Sequence, residues 1–334
     1  MTDGVARTFS EVLKARGRLA GVVRRTPLLE SPLLNRELGL RLLVKAECLQ
    51  FTGSFKLRGA YNTIAARRPQ AVVAYSSGNH AQGVAHAAAL LKVPAAIVMP
   101  KDAPAIKREH TRRYGAELVL YDREREERET IGARIAEQRR ALLVKPYDDP
   151  LVIAGQGTVG LEIAEQLLER GLAPDLVLCP AGGGGLVAGT ATVIRTLFAR
   201  CRVMCVEPEG FDDHRRSLEA GARIAHPAGA RSFCDALLAP IPGEHTFALN
   251  RQLLAGGLVV SDAEVAAAIR VAFEYFKLVL EPSGAVALAA VLAGKTGCSG
   301  ATVVAVLSGG NVDPDLHARV MAGGAIESSD RAGG

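Results

Sequence analysis

Ala71-Val72-Val73-Ala74-Tyr75 is a short apolar run that passes directly into Ser76-Ser77-Gly78-Asn79-His80-Ala81-Gln82-Gly83, and then into an alanine-rich stretch over residues 84–91. An apolar run too short for a helix, a glycine-bearing polar turn and a run of helix formers read as strand, turn and helix. The unit repeats. Residues 95–99, 117–121 and 142–145 read as strands, with helices over 107–114 and a charged 123–140 between them. Strands alternating with helices give an α/β fold whose parallel sheet is covered on both faces.

Upstream, residues 9–19 have an amphipathic helical pattern, Arg25-Thr26-Pro27 is held extended by its proline, and 40–47 alternates as a strand. Thr52-Gly53-Ser54 then opens a helix at Phe55, with Ser54 as the expected cap. Downstream come Gly155-Gln156-Gly157-Thr158-Val159-Gly160 with a helix to residue 169, and a strand over 176–179. Gly182-Gly183-Gly184-Gly185-Leu186 and another helix follow, then a strand over 202–206 and a loop-rich stretch to about Thr246. A helix from Asp262, Glu281-Pro282-Ser283-Gly284-Ala285, and a strand over 301–307 ending in Ser308-Gly309-Gly310-Asn311 complete the core. There is no internal repeat, and the tail from Gly323 is expected to fray.

The chain has 334 residues, 49% of them hydrophobic, which is enough for a large core and two domains. Its formal charge of +5 is small, and the basic residues are scattered, so neither nucleic acid nor a membrane surface is indicated as partner. An anionic small ligand remains compatible. The polar first eighteen residues lack a signal-peptide pattern and no apolar run approaches a membrane span, so a cytoplasmic protein is expected. The six cysteines form no CxxC pair and sit mostly in apolar runs, as buried thiols do.

Several residues carry chemistry. Lys56 stands in Gly53-Ser54-Phe55-Lys56-Leu57-Arg58-Gly59-Ala60, in the first turn of a helix and beside an aromatic ring. Apolar surroundings and the helix dipole both favour the neutral amine, which can attack a carbonyl. Gly182 to Gly185 lie between a strand and a helix, where successive N–H groups and a helix end make an anion site suited to phosphate. Ser76 to His80 offer hydroxyls, an amide and backbone donors at a second such turn, suited to a carboxylate. His80 reads either as a base or as a turn residue, and Ser308 closes a strand. The GxGxxG match at 155–160 lacks the acidic residue expected about 20 positions later and is read as a decoy. Glu207-Pro208-Glu209-Gly210-Phe211-Asp212-Asp213 reads as an exposed acidic loop or as oxygen ligands for a hard cation.

Taken in order, SFKLRGA, SSGNHAQG, GGGGL, EPSGA and LSGGN resemble the fold-type II pyridoxal-phosphate enzymes, in the branch of serine/threonine dehydratases and serine racemases. The resemblance covers essentially the whole chain and implies two parallel-rich twisted sheets flanked by helices. The active site is expected between a large domain of residues 1–52 and 155–334 and a small inserted domain of 53–154. No regulatory C-terminal domain is expected. It implies further that Lys56 carries pyridoxal 5'-phosphate as a Schiff base with Phe55 against the ring. Asn79 would face the ring hydroxyl, Gly182, Gly183, Gly184, Gly185 and Leu186 the phosphate, and Ser308 the ring nitrogen. Ser76, Ser77, Asn79 and His80 would hold the substrate carboxylate. Glu207, the Phe211 carbonyl and Asp213 match the family's Mg²⁺ site.

The activity so implied is dehydration of L-threonine and L-serine to 2-oxo acids and ammonia, by a homodimer. Racemisation, with Ser77 as second acid/base, and dehydration of another β-hydroxy amino acid such as threo-3-hydroxyaspartate or phenylserine are the alternatives. Pro146-Tyr147-Asp148-Asp149 resembles the dehydratases more than the racemases at that point.

Overall fold

The computed structural model describes residues 2–103, 105–122, 124–324, 326, 330 and 332–333. Among these, one sheet has six strands in the order Leu28–Glu30, Arg41–Ala46, Thr302–Leu307, Leu176–Pro180, Arg202–Pro208 and Gly256–Val260. A second has four, in the order Glu117–Tyr121, Ala95–Pro100, Val72–Tyr75 and Leu142–Leu143. Every pairing in the two sheets is parallel except that of Leu28–Glu30 with Arg41–Ala46. Parallel strands are apolar on both faces because helices cover both. Leu42, Val44, Val303 and Ala305 accordingly enter one core of the larger sheet, while Leu43, Val304 and Val306 enter the other.

Three expectations about helices are corrected. The helix expected over 84–91 begins earlier, as Asn79–Leu90, because its polar first residues are buried by neighbouring structure and so are not free to form a loop. The helix expected over 123–140 is Arg128–Arg139. Before it, Glu126 accepts from the Asp122 N–H at 2.7 Å, one of the local bonds that compete with helix. Ser54 is not a cap: Phe55 holds that position, while Ser54 bridges to Gly309 and its hydroxyl is buried with no hydrogen-bond partner among the described residues. The tail does not fray throughout, since Ala332–Gly333 pairs antiparallel with Arg231–Ser232; residues 325, 327–329, 331 and 334 lie outside the description.

The GxGxxG segment is the interior of helix Pro150–Leu168, which Asp149 caps by accepting from the Leu151 and Val152 N–H groups. Its glycines serve close helix packing. A Cβ at Gly155 would fall 2.6 Å from the Arg58 carbonyl oxygen, and one at Gly160 2.9 Å from that of Thr190. Gly189, on helix Gly185–Leu197, faces the same helix, where its Cβ would lie 2.4 Å from the Ile153 oxygen. Three helices thus meet at backbone distance: the one carrying Lys56, the central Pro150–Leu168, and the one opened by the tetraglycine.

Beside that contact lies a buried ion cluster. Arg58 donates to both oxygens of Glu47 at 2.8 Å and to Glu162 at 2.7 and 2.9 Å, while Lys45 reaches Glu162 at 2.6 Å. Arg58, Lys45 and Glu47 are inaccessible to solvent. Burial alone would push the Glu47 carboxyl up, but the Arg58 guanidinium, Lys45 and the Thr26 hydroxyl together outweigh it and hold the group below its ordinary value.

The packing gives a paired test. Gly189→Ala must push two backbones apart and is expected to cost about 2 kcal/mol or more. Gly17, exposed within helix Asp3–Leu19 with nothing within 4 Å of a Cβ, should gain about 0.5–1 kcal/mol as alanine. Denaturant unfolding of both variants measures the two signs.

Candidate active site

A cleft of about 230 Å³ opens at the C-terminal ends of Val72–Tyr75, Leu176–Pro180 and Thr302–Leu307. That is where ligands bind in open α/β sheets. Lys56 enters it from the first residue of helix Lys56–Arg67, its Nζ donating to the Pro146 carbonyl at 2.9 Å and lying 5.1 Å from the Phe55 ring centre. Gly83, on helix Asn79–Leu90, makes room for this approach, since a Cβ there would stand 3.0 Å from the Lys56 carbonyl carbon. Burial lowers the Lys56 ammonium to about 8, against the opposing pull of the Glu281 carboxylate. Near neutral pH the amine is therefore accessible in its nucleophilic form.

The tetraglycine forms the opposite wall. A Cβ would fall 2.2 Å from the Tyr147 ring at Gly183 and 2.4 Å from His214 Nε2 at Gly184, which also has φ +91°, so both positions require glycine. The Gly183 carbonyl is held by the Thr246 hydroxyl at 2.7 Å and the Gly243 N–H at 3.3 Å. In a trans peptide this points the Gly184 N–H away from those anchors. Among the described residues no side chain caps helix Gly185–Leu197, so its first N–H groups are left for a ligand, as an anion site requires.

Behind Lys56, the SFKLRGA, EPSGA and LSGGN segments lock together. Thr52 offers its carbonyl to Asn311 Nδ2 at 2.8 Å; Asn311 Nδ2 also donates to Asn79 Oδ1 at 2.7 Å, and Asn79 Nδ2 donates to Glu281 Oε1 at 2.5 Å. Glycines clear the path: a Cβ at Gly53 would strike Asn311 Oδ1 at 2.3 Å, and one at Gly309 would strike Glu281 Oε1 at 2.0 Å. Ser308, almost fully buried, lines the cleft at the head of this arrangement.

Ser76 and Ser77 line the cleft at the second turn, and Ser76 Oγ accepts from the Gly78 N–H at 3.2 Å. The His80 ring is committed elsewhere, with Nε2 2.8 Å from the Val144 carbonyl. A carbonyl only accepts, so the proton is on Nε2; burial, with Lys56 nearby, lowers the imidazolium to about 3. His80 is neutral, and what it offers an anion is its backbone N–H in the first helical turn.

Glu207 and Asp213 converge at the end of Arg202–Pro208, joined by His214, which sequence reasoning did not single out. Ligand atoms of the three lie within 4.8 Å of one another. Glu207 accepts the His214 and Arg215 N–H groups, each at 2.8 Å, while Asp213 Oδ2 is buried with no hydrogen-bond partner among the described residues. Burial pushes both carboxyls up, Asp213 to about 7 and Glu207 well above its ordinary value with Asp213 adding to it, and it lowers His214 to about 4. Two buried acids beside a neutral imidazole are a donor set suited to a cation.

The structure therefore brings Phe55, Lys56, Ser76, Ser77, Asn79, His80, Gly182 to Leu186 and Ser308 to one cleft, and sets Glu207, Phe211 and Asp213 apart from it. It adds Glu281, Asn311, Tyr147 and Arg128 to the cleft wall. Glu281 and Asn311 end or open the quoted motifs, and a charged or amide side chain beside glycines at a strand end was their one visible signal.

A neutral-leaning lysine, an uncapped helix end behind glycines and a buried hydroxyl at one sheet edge define an α/β enzyme that holds a phosphorylated carbonyl cofactor. Residues 19–309 match the family described as pyridoxal-phosphate dependent enzyme, and the chain belongs to it, in the fold-type II branch of serine/threonine dehydratases and racemases. A Pseudomonas L-threo-3-hydroxyaspartate ammonia-lyase is 43% identical over 320 residues, covering 95% of this chain and 99% of the relative. A Thermotoga maritima L-threonine ammonia-lyase is 40% identical, covering 96% of this chain and 80% of the relative. Among solved structures, a threonine deaminase from T.th. is 46% identical with a TM-score of 0.86, covering 91% of this chain and 98% of that one. Maize serine racemase is 35% identical with a TM-score of 0.87, covering 94% and 97%.

The residues fit pyridoxal phosphate: the uncapped helix end suits its phosphate, the Lys56 amine its aldehyde and the Ser308 hydroxyl its ring nitrogen. With cofactor removed and then restored, borohydride trapping should speed up with pH to about 8 and level off above it, because only the neutral amine attacks. Lys56→Ala should develop no band near ~410–420 nm. A pH-independent trapping rate between about 6.5 and 9 would contradict the lowered amine.

Proposed function

We propose that the chain is an ammonia-lyase for an acidic β-hydroxy amino acid, threo-3-hydroxyaspartate, which it converts to oxaloacetate and ammonia. The observation that carries this reading is Arg128. Its guanidinium lies in the cleft wall, 5.7 Å from the Tyr75 ring centre, and among the described residues its ion pair is with the half-exposed Glu129 beside it in sequence. A β-carboxylate can pair with that cation, whereas the methyl group of threonine would face it with nothing to offer. The relatives named for hydroxyaspartate, in Pseudomonas and in Saccharomyces cerevisiae, support the same substrate class.

In this reading the substrate α-carboxylate lies against Ser76, Ser77 and the N–H groups that open helix Asn79–Leu90. Lys56 Nζ takes the Cα proton, the β-hydroxyl leaves with a proton as water, and a Cα=Cβ bond forms. The released enamine tautomerises, and water then frees ammonia from it, leaving the 2-oxo acid. The cofactor, when bound, supplies the electron sink that makes the Cα proton acidic. Ser77 is the hydroxyl assigned to any proton return that would racemise the substrate.

Arg128→Met is expected to lower kcat/KM for L-threo-3-hydroxyaspartate by about 10- to 100-fold, the value of a charge-assisted contact, while that for L-serine changes little. A panel of L- and D-β-hydroxy amino acids, scored for 2-oxo acid and for residual chirality, reads both substrate and racemisation. Preference for L-threonine with no turnover of hydroxyaspartate would sink the proposal.

The buried carboxyls of Glu207 and Asp213, the latter with an oxygen that no described residue hydrogen-bonds, further support Mg²⁺ or a similar ion, held by these two side chains and the Phe211 carbonyl. Its role would be structural or activating, away from the bond changes. Saturating Mg²⁺ should raise the melting temperature by a few degrees, as about 1 kcal/mol of linked binding does, and a chelator should reverse it. Asp213→Asn should abolish the response.

A further inference from the structure

We propose that Glu281 and Asn311 are positioning residues that fix the Asn79 amide in one orientation, with an N–H presented to the cofactor ring. This rests on the reading that Lys56 holds pyridoxal phosphate in this cleft. The argument is one of hydrogen-bond polarity. The Thr52 carbonyl can only accept, so the Asn311 atom beside it is the amide nitrogen. That nitrogen also faces Asn79, which must therefore turn its oxygen there. Asn79 Nδ2 is then directed at Glu281 Oε1, which accepts from it.

Each link is forced by the one before it, from a backbone carbonyl at one end to a carboxylate at the other. Reversing Asn79 would set oxygen against oxygen at Glu281 and N–H against N–H at Asn311. Asn79 and Glu281 are almost fully buried, so water does not stand in for a lost bond, and an error in the relay costs the full desolvation of a polar group. Of the two Asn79 hydrogens one goes to Glu281. The other is what Asn79 has left for the cleft that it lines.

A fixed N–H there stabilises an anionic oxygen. With the cofactor bound, Asn79 would present to the ring 3-oxygen a donor that cannot turn into an acceptor, and so would favour its ionised form. Three glycines keep the relay in place: Gly53 and Gly309 by the clearances already given, and Gly284 because a Cβ there would lie 2.2 Å from the Gly309 oxygen. The glycines flanking SFK, closing EPSG and inside SGGN serve this path.

The test is the spectrum of holoenzyme variants, with cofactor affinity measured beside it. A band near about 410 nm reports the anionic ring oxygen and one near about 330 nm the neutral form. Asn311→Asp, which is isosteric, puts an acceptor where the donor stood; the Asn79 amide then faces acceptors on both sides and loses its single orientation, so the share of the form absorbing near about 330 nm should rise. Glu281→Gln keeps an acceptor for Asn79 and should retain the band near about 410 nm. Asn311→Ala, which removes the donor without adding charge, should give a mixture and weaken cofactor binding about tenfold, the value of one hydrogen bond. Melting temperatures of the cofactor-free variants confirm folding. If Asn311→Asp does not fold, Asn311→Ala carries the test alone. Folded Asn311 variants with the wild-type band ratio and affinity would overturn the proposal. A wild-type protein with no borohydride-sensitive visible band would instead overturn the assignment of Lys56.

Discussion

Arg58 is the point on which the architecture turns. It lies two residues beyond Lys56, is inaccessible to solvent, and binds Glu47 at the end of a large-sheet strand and Glu162 on the central helix. The same helix that carries Lys56 runs on toward the four-stranded sheet. One guanidinium thus ties the reactive lysine's helix to the large sheet and to the helix between. A buried pair of this kind adds little over an apolar replacement, yet losing one partner costs about 3–5 kcal/mol because a charge is stranded. Its contribution is to exclude alternatives: Lys45, Glu47, Arg58 and Glu162 can all be satisfied in one arrangement, and that arrangement places Lys56.

Glycine complements this by deciding how near the backbones come. Gly155 against Arg58, Gly189 against Ile153 and Gly83 against Lys56 are contacts in which a methyl group would force a shift. The ion cluster fixes which helices meet, and the glycines fix the distance. Together they let a lysine, a helix end and a strand end from remote parts of the chain share a cleft of about 230 Å³.

The alternation of strands and helices was legible because periodicity and glycine-bearing turns are local properties. So were Lys56, the tetraglycine and Ser76 to His80, each at a strand or helix end. What local pattern could not supply was the purpose of a glycine whose neighbour is remote in sequence. The GxGxxG match could be set aside as a dinucleotide site for want of an acidic partner, but what its glycines do is seen only with Arg58 and Gly189 beside them. Ser54 looks like a cap until Gly309 pairs with it, and His80 stands open as a base or a turn residue until the Val144 carbonyl is seen to accept its Nε2–H. Glu281 and Asn311 were inside quoted motifs, but their role is a hydrogen-bond direction, which exists only once Thr52, Asn79 and Gly309 are in contact.

The modest net charge also conceals the field inside the cleft. Two helices, Asn79–Leu90 and Gly185–Leu197, begin at its wall with no side chain capping them, and each carries about half a positive charge at that end without adding to the residue count. Lys56 and Arg128 add formal cations, and the Glu281 carboxylate is engaged by Asn79. Scattered surface charge gave no sign of an anionic polymer as partner and left a small anion open. The folded cleft narrows that opening: its donors are spaced in separate groups around one lysine, an arrangement suited to a ligand carrying a phosphate and carboxylates in fixed relation, and poorly suited to a single isolated charge.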